Sequence, residues 1–162
     1  MKKALATAAA LLAMAVPTPT LAHTFKQVNE FVDLIEQTGT DVVYTNCEED
    51  FNKPDIYGFY AFDEETKVDH LILCEDHIDA RDPVAIWETL AHEVTHVMQA
   101  CHGGPVLKEE AIDRVLARMP EDDLEVLLQY PDEKLRIEVE AFNMENEDPA
   151  LVVELFKRYC FE

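Results

Sequence analysis

Positive charge is scarce in this sequence: 13 lysines and arginines stand against 34 aspartates and glutamates, a formal net charge of −21 at pH 7. So acidic a surface repels phosphate chains and anionic headgroups, which excludes nucleic acid and anionic membrane as partners. The same field draws in a basic peptide over longer distances, chiefly at low salt. Also missing is any Cys-x-x-Cys spacing among Cys47, Cys74, Cys101 and Cys160, so a cysteine-rich zinc site is not expected. Past Val16 no apolar run is long enough to cross a bilayer, and there is neither an internal repeat nor a low-complexity tract.

What is present begins with a leader. Lys2 and Lys3 precede an apolar stretch from Ala4 to Val16, too short to span a membrane, followed by Pro17-Thr18-Pro19-Thr20-Leu21-Ala22. A basic start, an apolar middle and a small-residue end read as a secretory signal peptide, residues 1–22, cut after Ala22. No cysteine sits at that cut, which argues against a lipoprotein. The expectation is an exported protein, periplasmic or secreted, with no stable membrane anchor, whose residues 23–162 form one domain. In an exported chain four cysteines predict two disulfides. Of the three pairings, Cys47 with Cys74 and Cys101 with Cys160 is favoured, each half of the chain closing on itself.

Hydrophobic spacing predicts a first helix over Thr24 to Gln37 and a short strand over Asp41 to Thr45, then a polar, turn-rich stretch from Glu48 to Pro54. Ile56 to Phe62 and Lys67 to Cys74 read as a hairpin. Asp82 as N-cap and Pro83 in the first turn start a helix that runs to about Cys101, where Gly103-Gly104-Pro105 stops it. Helices follow over Val106 to Met119, Asp122 to Gln129, Asp132 to Met144, and from Pro149 towards Tyr159. The predicted class is α+β: a small antiparallel sheet packed on a central helix, with a helical C-terminal half.

That central helix carries Leu90-Ala91-His92-Glu93-Val94-Thr95-His96-Val97-Met98-Gln99. Residues one turn apart lie about 40° from each other around a helix axis, so His92 and His96 reach one ion. Zinc accepts neutral imidazole and carboxylate, and a catalytic zinc keeps a position for water. Glu93 beside it is placed to take the proton of that water and pass it on. Trp87, Leu90, Ala91, Val94, Val97 and Met98 bury the other face, which a surface helix with merely solvated histidines would not need. For a third ligand, Arg136 to Asn143 offers two carboxylates on one helix, Glu138 and Glu140, pointing about 200° apart. Glu145 and Glu147 fall near that helix's end and are less attractive.

The His-Glu-x-x-His element followed by Glu-x-Glu-Ala-Phe resembles the gluzincin metallopeptidases, above all their small, minimal members. The resemblance covers Pro83 to Phe142 and implies a zincin-like fold with zinc held by His92, His96 and Glu138, Glu93 as base, and Ala141 as the small residue at the helix crossing; Glu140 stays open as the alternative ligand. It further implies a zinc-dependent peptidase acting on a peptide or protein substrate laid along a sheet edge. Many gluzincins place an acid one helical turn after the third ligand to orient a zinc-bound histidine; here Phe142, or Met144, stands there. Support for the histidine must come from elsewhere, and a catalytically weak or inactive zinc-stabilised binding protein is the alternative. Tyr130, Tyr159 and His102 remain open as the group that steadies the oxyanion. His70 and His77 are expected at the surface.

Overall fold

The computed structural model describes residues 24–162, so the expected signal peptide lies outside the described residues. Helix α1 (Phe25–Glu36) opens with a capping box in which the Thr24 hydroxyl accepts from the Gln27 main chain while the Gln27 side chain accepts from the Thr24 main chain. It turns Val28, Phe31 and Ile35 inward at helical spacing. Strand β1 (Thr40–Thr45) follows, then a one-turn helix α2 (Cys47–Phe51), then β2 (Gly58–Phe62) and β3 (Asp69–Cys74). The remainder is helical: α3 (Pro83–His102), α4 (Glu109–Leu116), α5 (Glu121–Leu127), α6 (Asp132–Glu145) and α7 (Pro149–Phe161).

The expected hairpin is there, β2 antiparallel to β3 with Gly58 opposite Leu73. The third strand departs from the expected antiparallel sheet. β1 joins the other side of β3 in parallel, Thr40 opposite Asp69, giving a mixed sheet of order β1-β3-β2. The segment between β1 and β3 carries α2 and β2 and is long enough for the crossover that parallel pairing needs. Central in the sheet, β3 is buried on both faces, and its Leu71-Ile72-Leu73-Cys74 run is accordingly apolar without alternation. Leu71 and Leu73 pack towards α3; Ile72 and Cys74 meet Cys47, Phe59 and Ala61 on the other face.

The polar stretch after β1 is α2 rather than a loop. Asn46 caps it by accepting from Glu49 N at 2.9 Å, and Glu48, Glu49 and Asp50 sit in its first turn, where acids suit the helix dipole. Five residues are too few to show a periodicity. Conversely, the helix expected from Val106 begins only at Glu109; the N–H groups of Val106 and Leu107 go to a buried carboxylate described below.

Helix α3 is the axle of the core. Ile86, Trp87, Leu90, Val94, Val97 and Met98 are buried against α1, β3 and α7, with Trp87 stacked on Phe31 at 5.3 Å and Phe31 edge-on to Phe156 at 5.5 Å. Full burial of such a side chain contributes about 1.5–3 kcal/mol. A second apolar cluster, Val115, Leu127, Val139 and Phe142, joins α4 and α5 to α6. Two disulfides fasten the ends, Cys47–Cys74 between α2 and β3 and Cys101–Cys160 between α3 and α7, the pairing expected from the sequence. They suit an oxidising compartment. No described helix is long and apolar enough to cross a membrane.

Gly58 is where the sheet presses closest on α3. A Cβ there would lie 2.8 Å from the Ile72 carbonyl oxygen, 2.8 Å from Thr89 Cγ2 and 3.1 Å from Glu93 Cγ. Backbone cannot yield as a side-chain tip can, so Gly58→Ala is expected to destabilise the fold by about 1–3 kcal/mol. Thermal unfolding of the variant checks this; an unchanged melting temperature would contradict the packing described.

Candidate metal centre

Helix α3 starts where the sequence places it: Asp82 Oδ1 accepts from Val84 N at 2.9 Å and Pro83 occupies the first turn. It ends at Gly103, whose φ of 77° is left-handed and favours glycine. Between these stops, His92 and His96 project from one face with ring centroids 5.4 Å apart. Helix α6 packs against that face, and the small side chains Ala91 and Thr95 of α3 and Ala141 of α6 are all fully buried.

The crossing brings Glu138 to both histidines. Its Oε2 lies 3.5 Å from His92 Nε2 and 3.7 Å from His96 Nε2. One ligand atom from each of the three residues falls within 4.8 Å of the others. Zinc bonds of about 2.0–2.2 Å set a tetrahedral edge of about 3.4 Å, so two of the three edges are nearly at that length. The donor set is two imidazoles and one carboxylate, which fits a zinc that keeps one position for solvent. Glu140, the alternative ligand, is turned to the other side of α6 and does not join this group. It is fully buried and accepts from Val106 N (2.8 Å), Leu107 N (3.1 Å) and Gln99 Nε2 (3.0 Å).

Each histidine is held at its other nitrogen. His96 Nδ1 meets Gln99 Oε1 at 2.9 Å, and His92 Nδ1 makes a short hydrogen bond to Glu145 Oε1. Glu145 is the acid that the sequence lacked one turn after Glu138. It stands two turns after it, which returns it to the same face of α6. Set aside as a third ligand for its place near the helix end, it is the last residue of α6 and stands outside the group of three, as the partner of His92.

Glu93 lies beside the histidines, 5% exposed, and the Tyr60 main-chain N–H donates to its carboxylate. Burial first, then Glu138 and Glu145, push its carboxyl up to about 7, while His92 pulls the other way. Burial would lower His92, but its bonds to Glu138 and Glu145 outweigh it and raise the imidazole to about 10. Burial also lowers His96.

Of the three groups left open for the oxyanion, Tyr130 alone feels the site. Burial and then the charges of Glu138, Glu93 and Glu145 push its hydroxyl up to about 12. Its ring is 6.5 Å from that of Phe142, which lies edge-on to His92 at 4.9 Å. Tyr159 instead donates to the Val106 carbonyl at 2.8 Å and packs on His102. His70 and His77 are half-buried rather than fully at the surface, next to Asp41 and Asp76 respectively.

A pH dependence follows for the metal-free protein. His92 titrates at about 10 in the fold against 6.5 as a free side chain, and Glu93 at about 7 against 4.5. Both values are raised, so the folded chain binds more protons than the unfolded one between them, and stability falls as pH rises. The Glu93 share is complete below 4.5 and lost through 7; the His92 share is complete below 6.5 and lost through 10. His96, lowered by burial, works the other way below 6.5, so the decline in melting temperature of chelator-treated protein is expected from pH 7 to pH 9. Zinc binding displaces the His92 proton, so the apparent affinity should rise over the same range. Titration calorimetry in buffers of different ionisation enthalpy reads that proton release directly.

β2 lies at the edge of the sheet, next to this site. Cys74 N donates to Tyr57 O at 2.8 Å and Asp63 N to Val68 O at 2.9 Å, so the odd-numbered residues of β2 pair with β3. Gly58, Tyr60 and Phe62 consequently turn their main-chain groups to the free edge. Among known proteins, the family model of a domain of unknown function (DUF8637) matches residues 21–161. No curated protein and no solved structure matches the chain.

Proposed function

We propose that this chain, which belongs to the DUF8637 family, is a zinc-dependent peptidase of gluzincin kind. One observation carries the reading: His92, His96 and Glu138 converge from two helices to bonding reach of a single ion, with Glu93 beside them. Zinc held by those three residues would supply Lewis acidity, making a water acidic and polarising a substrate carbonyl. Glu93 takes a proton at its carboxylate and returns it to the leaving amine; a carboxyl held near 7 by burial is suited to both halves of that exchange. Tyr130, hydroxyl still protonated at neutral pH, donates to the developing oxyanion. Glu145 and Gln99 hold the two imidazoles in register.

The free edge of β2 gives the substrate its line. Carbonyls of Gly58 and Tyr60 and the N–H of Phe62 can pair with an extended peptide, while the Tyr60 N–H is already given to Glu93. Strand and base are thereby linked, and a peptide on the edge runs past the carboxylate that serves it.

A catalytically weak or inactive zinc-stabilised binding protein was favoured by the acid missing after Glu138. Glu145 meets that need, so of the two grounds for that reading only the small size of the domain remains. A digest of a peptide library separates the two: the zinc-loaded protein should cleave, chelator should abolish cleavage, and added zinc should restore it. A library left intact by protein carrying one zinc per chain would reject the peptidase and leave the binding protein.

A further inference from the structure

Glu140 is a carboxylate with no exposed surface that takes no part in the metal group, and its surroundings are donors: the Val106 and Leu107 N–H groups, the Gln99 amide, and Arg136 at 4.0 Å. Gln99 is itself 7% exposed and touches three partners. Its Nε2 lies 3.0 Å from the Ile137 carbonyl and 3.0 Å from Glu140 Oε2. A carbonyl and a carboxylate can only accept, so the amide nitrogen must face them. The amide oxygen is left to face His96, 2.9 Å from Nδ1, and an oxygen there can only accept. His96 must then carry its proton on Nδ1. The lone pair of Nε2 is thereby directed to Glu138 and to whatever ion the two hold.

We propose that Glu140 is a positioning residue for the metal site: together with the Ile137 carbonyl it locks the Gln99 amide, which selects the Nδ1–H tautomer of His96 and keeps Nε2 open to a divalent cation. The inference rests on the metal-site reading but not on turnover. The choice of tautomer passes through two side chains, neither of which touches the ion. The same carboxylate fastens residues 106 and 107, whose carbonyl at Val106 accepts from Tyr159, so the chain leaving α3 shares an anchor with the histidine. Val106 N and Gln99 Nε2 share Glu140 Oε2, and Leu107 N takes Oε1. Glu140→Gln can therefore keep an oxygen opposite Val106 and Gln99 and give up only the bond to Leu107, which preserves the lock. Glu140→Leu removes the acceptor and leaves the Ile137 carbonyl alone to hold the Gln99 amide, which can then flip, donate to His96 Nδ1 and move the imidazole proton to Nε2, where the ion must bind.

The test has two readings that do not need activity. Long-range proton–nitrogen NMR of the metal-free full chain at neutral pH should report His96 as the Nδ1–H tautomer; an Nε2–H tautomer overturns the proposal. Zinc affinity is then measured by competition with a chromogenic chelator in five proteins: wild type, Glu140→Gln, Glu140→Leu, Gln99→Met and the double variant Glu140→Leu with Gln99→Met. Glu140→Leu should bind zinc about 10–100-fold more weakly than wild type and cost nothing further in the Gln99→Met background, while Glu140→Gln should stay near wild type. An equal loss from Glu140→Leu in both backgrounds would mean that Glu140 is only a packing anchor. Should Glu140→Leu fail to fold, the wild-type NMR decides alone. If wild type binds no zinc, the metal-site reading fails, while the NMR still judges the relay separately.

Discussion

Glu93→Gln is expected to keep its zinc and to lose turnover by about 10²–10⁴-fold, the range a positioned acid–base group supplies. The substitution preserves shape, and its amide oxygen can still accept from the Tyr60 N–H. It also removes one negative charge from a buried group that already holds Glu138 and Glu145, so the metal-free variant should melt no lower than wild type above pH 7. Zinc content by elemental analysis and kcat on any peptide the wild type cleaves are the two measurements. Retained zinc with lost turnover assigns proton transfer to this carboxylate. Undiminished turnover with the metal in place would falsify the mechanism, whatever the fold.

His96→Ala should empty the centre. It removes one of three ligands and leaves Glu138, 8% exposed at its side chain, facing His92 alone. Wild type is expected to carry one zinc per chain and the variant none that survives dialysis. Mass action gives a second reading. A ligand at about 100 times its dissociation constant stabilises the folded chain by about 2.7 kcal/mol, so zinc should raise the melting temperature of wild type and leave that of the variant where it was. Because His96 is only partly buried and borders the fully packed Val97, the variant should still fold. A variant that loads zinc as wild type does would remove His96 from the ligand set and the peptidase with it.

How much of this could be read before the fold was known depends on how local each signal is. Helix α3 was legible from both ends, since Asp82-Pro83 and Gly103-Gly104 are start and stop by their own chemistry. His92, Glu93 and His96 follow from helical spacing alone. The choice between Glu138 and Glu140 does not, since both are carboxylates on one helix. It is made by the roll of α6 on α3, which turns Glu138 to the histidines and Glu140 to Gln99, Val106 and Leu107, and which only tertiary packing decides. Glu145 carried a readable sign, two turns from Glu138 on the same face, but it was weighed only as a third ligand and not as a partner for a histidine. Gln99, one turn past His96, carried another: a polar residue in an otherwise apolar flank. The parallel placement of β1 and the approach of Tyr130 had no local mark, being set by crossover and by the packing of α5 on α6.

The two bridges have a bearing on how the molecule matures. Four thiolates on a nascent chain are softer, stronger zinc donors than two imidazoles and a carboxylate, and would capture the ion first. Once Cys47 is joined to Cys74 and Cys101 to Cys160, no free thiol remains among the described residues to compete. In the zinc protein proposed above, oxidation would therefore come before metallation: a chain meeting the ion while still reduced would offer it the thiolates first, and a chain oxidised first would offer it the group of His92, His96 and Glu138.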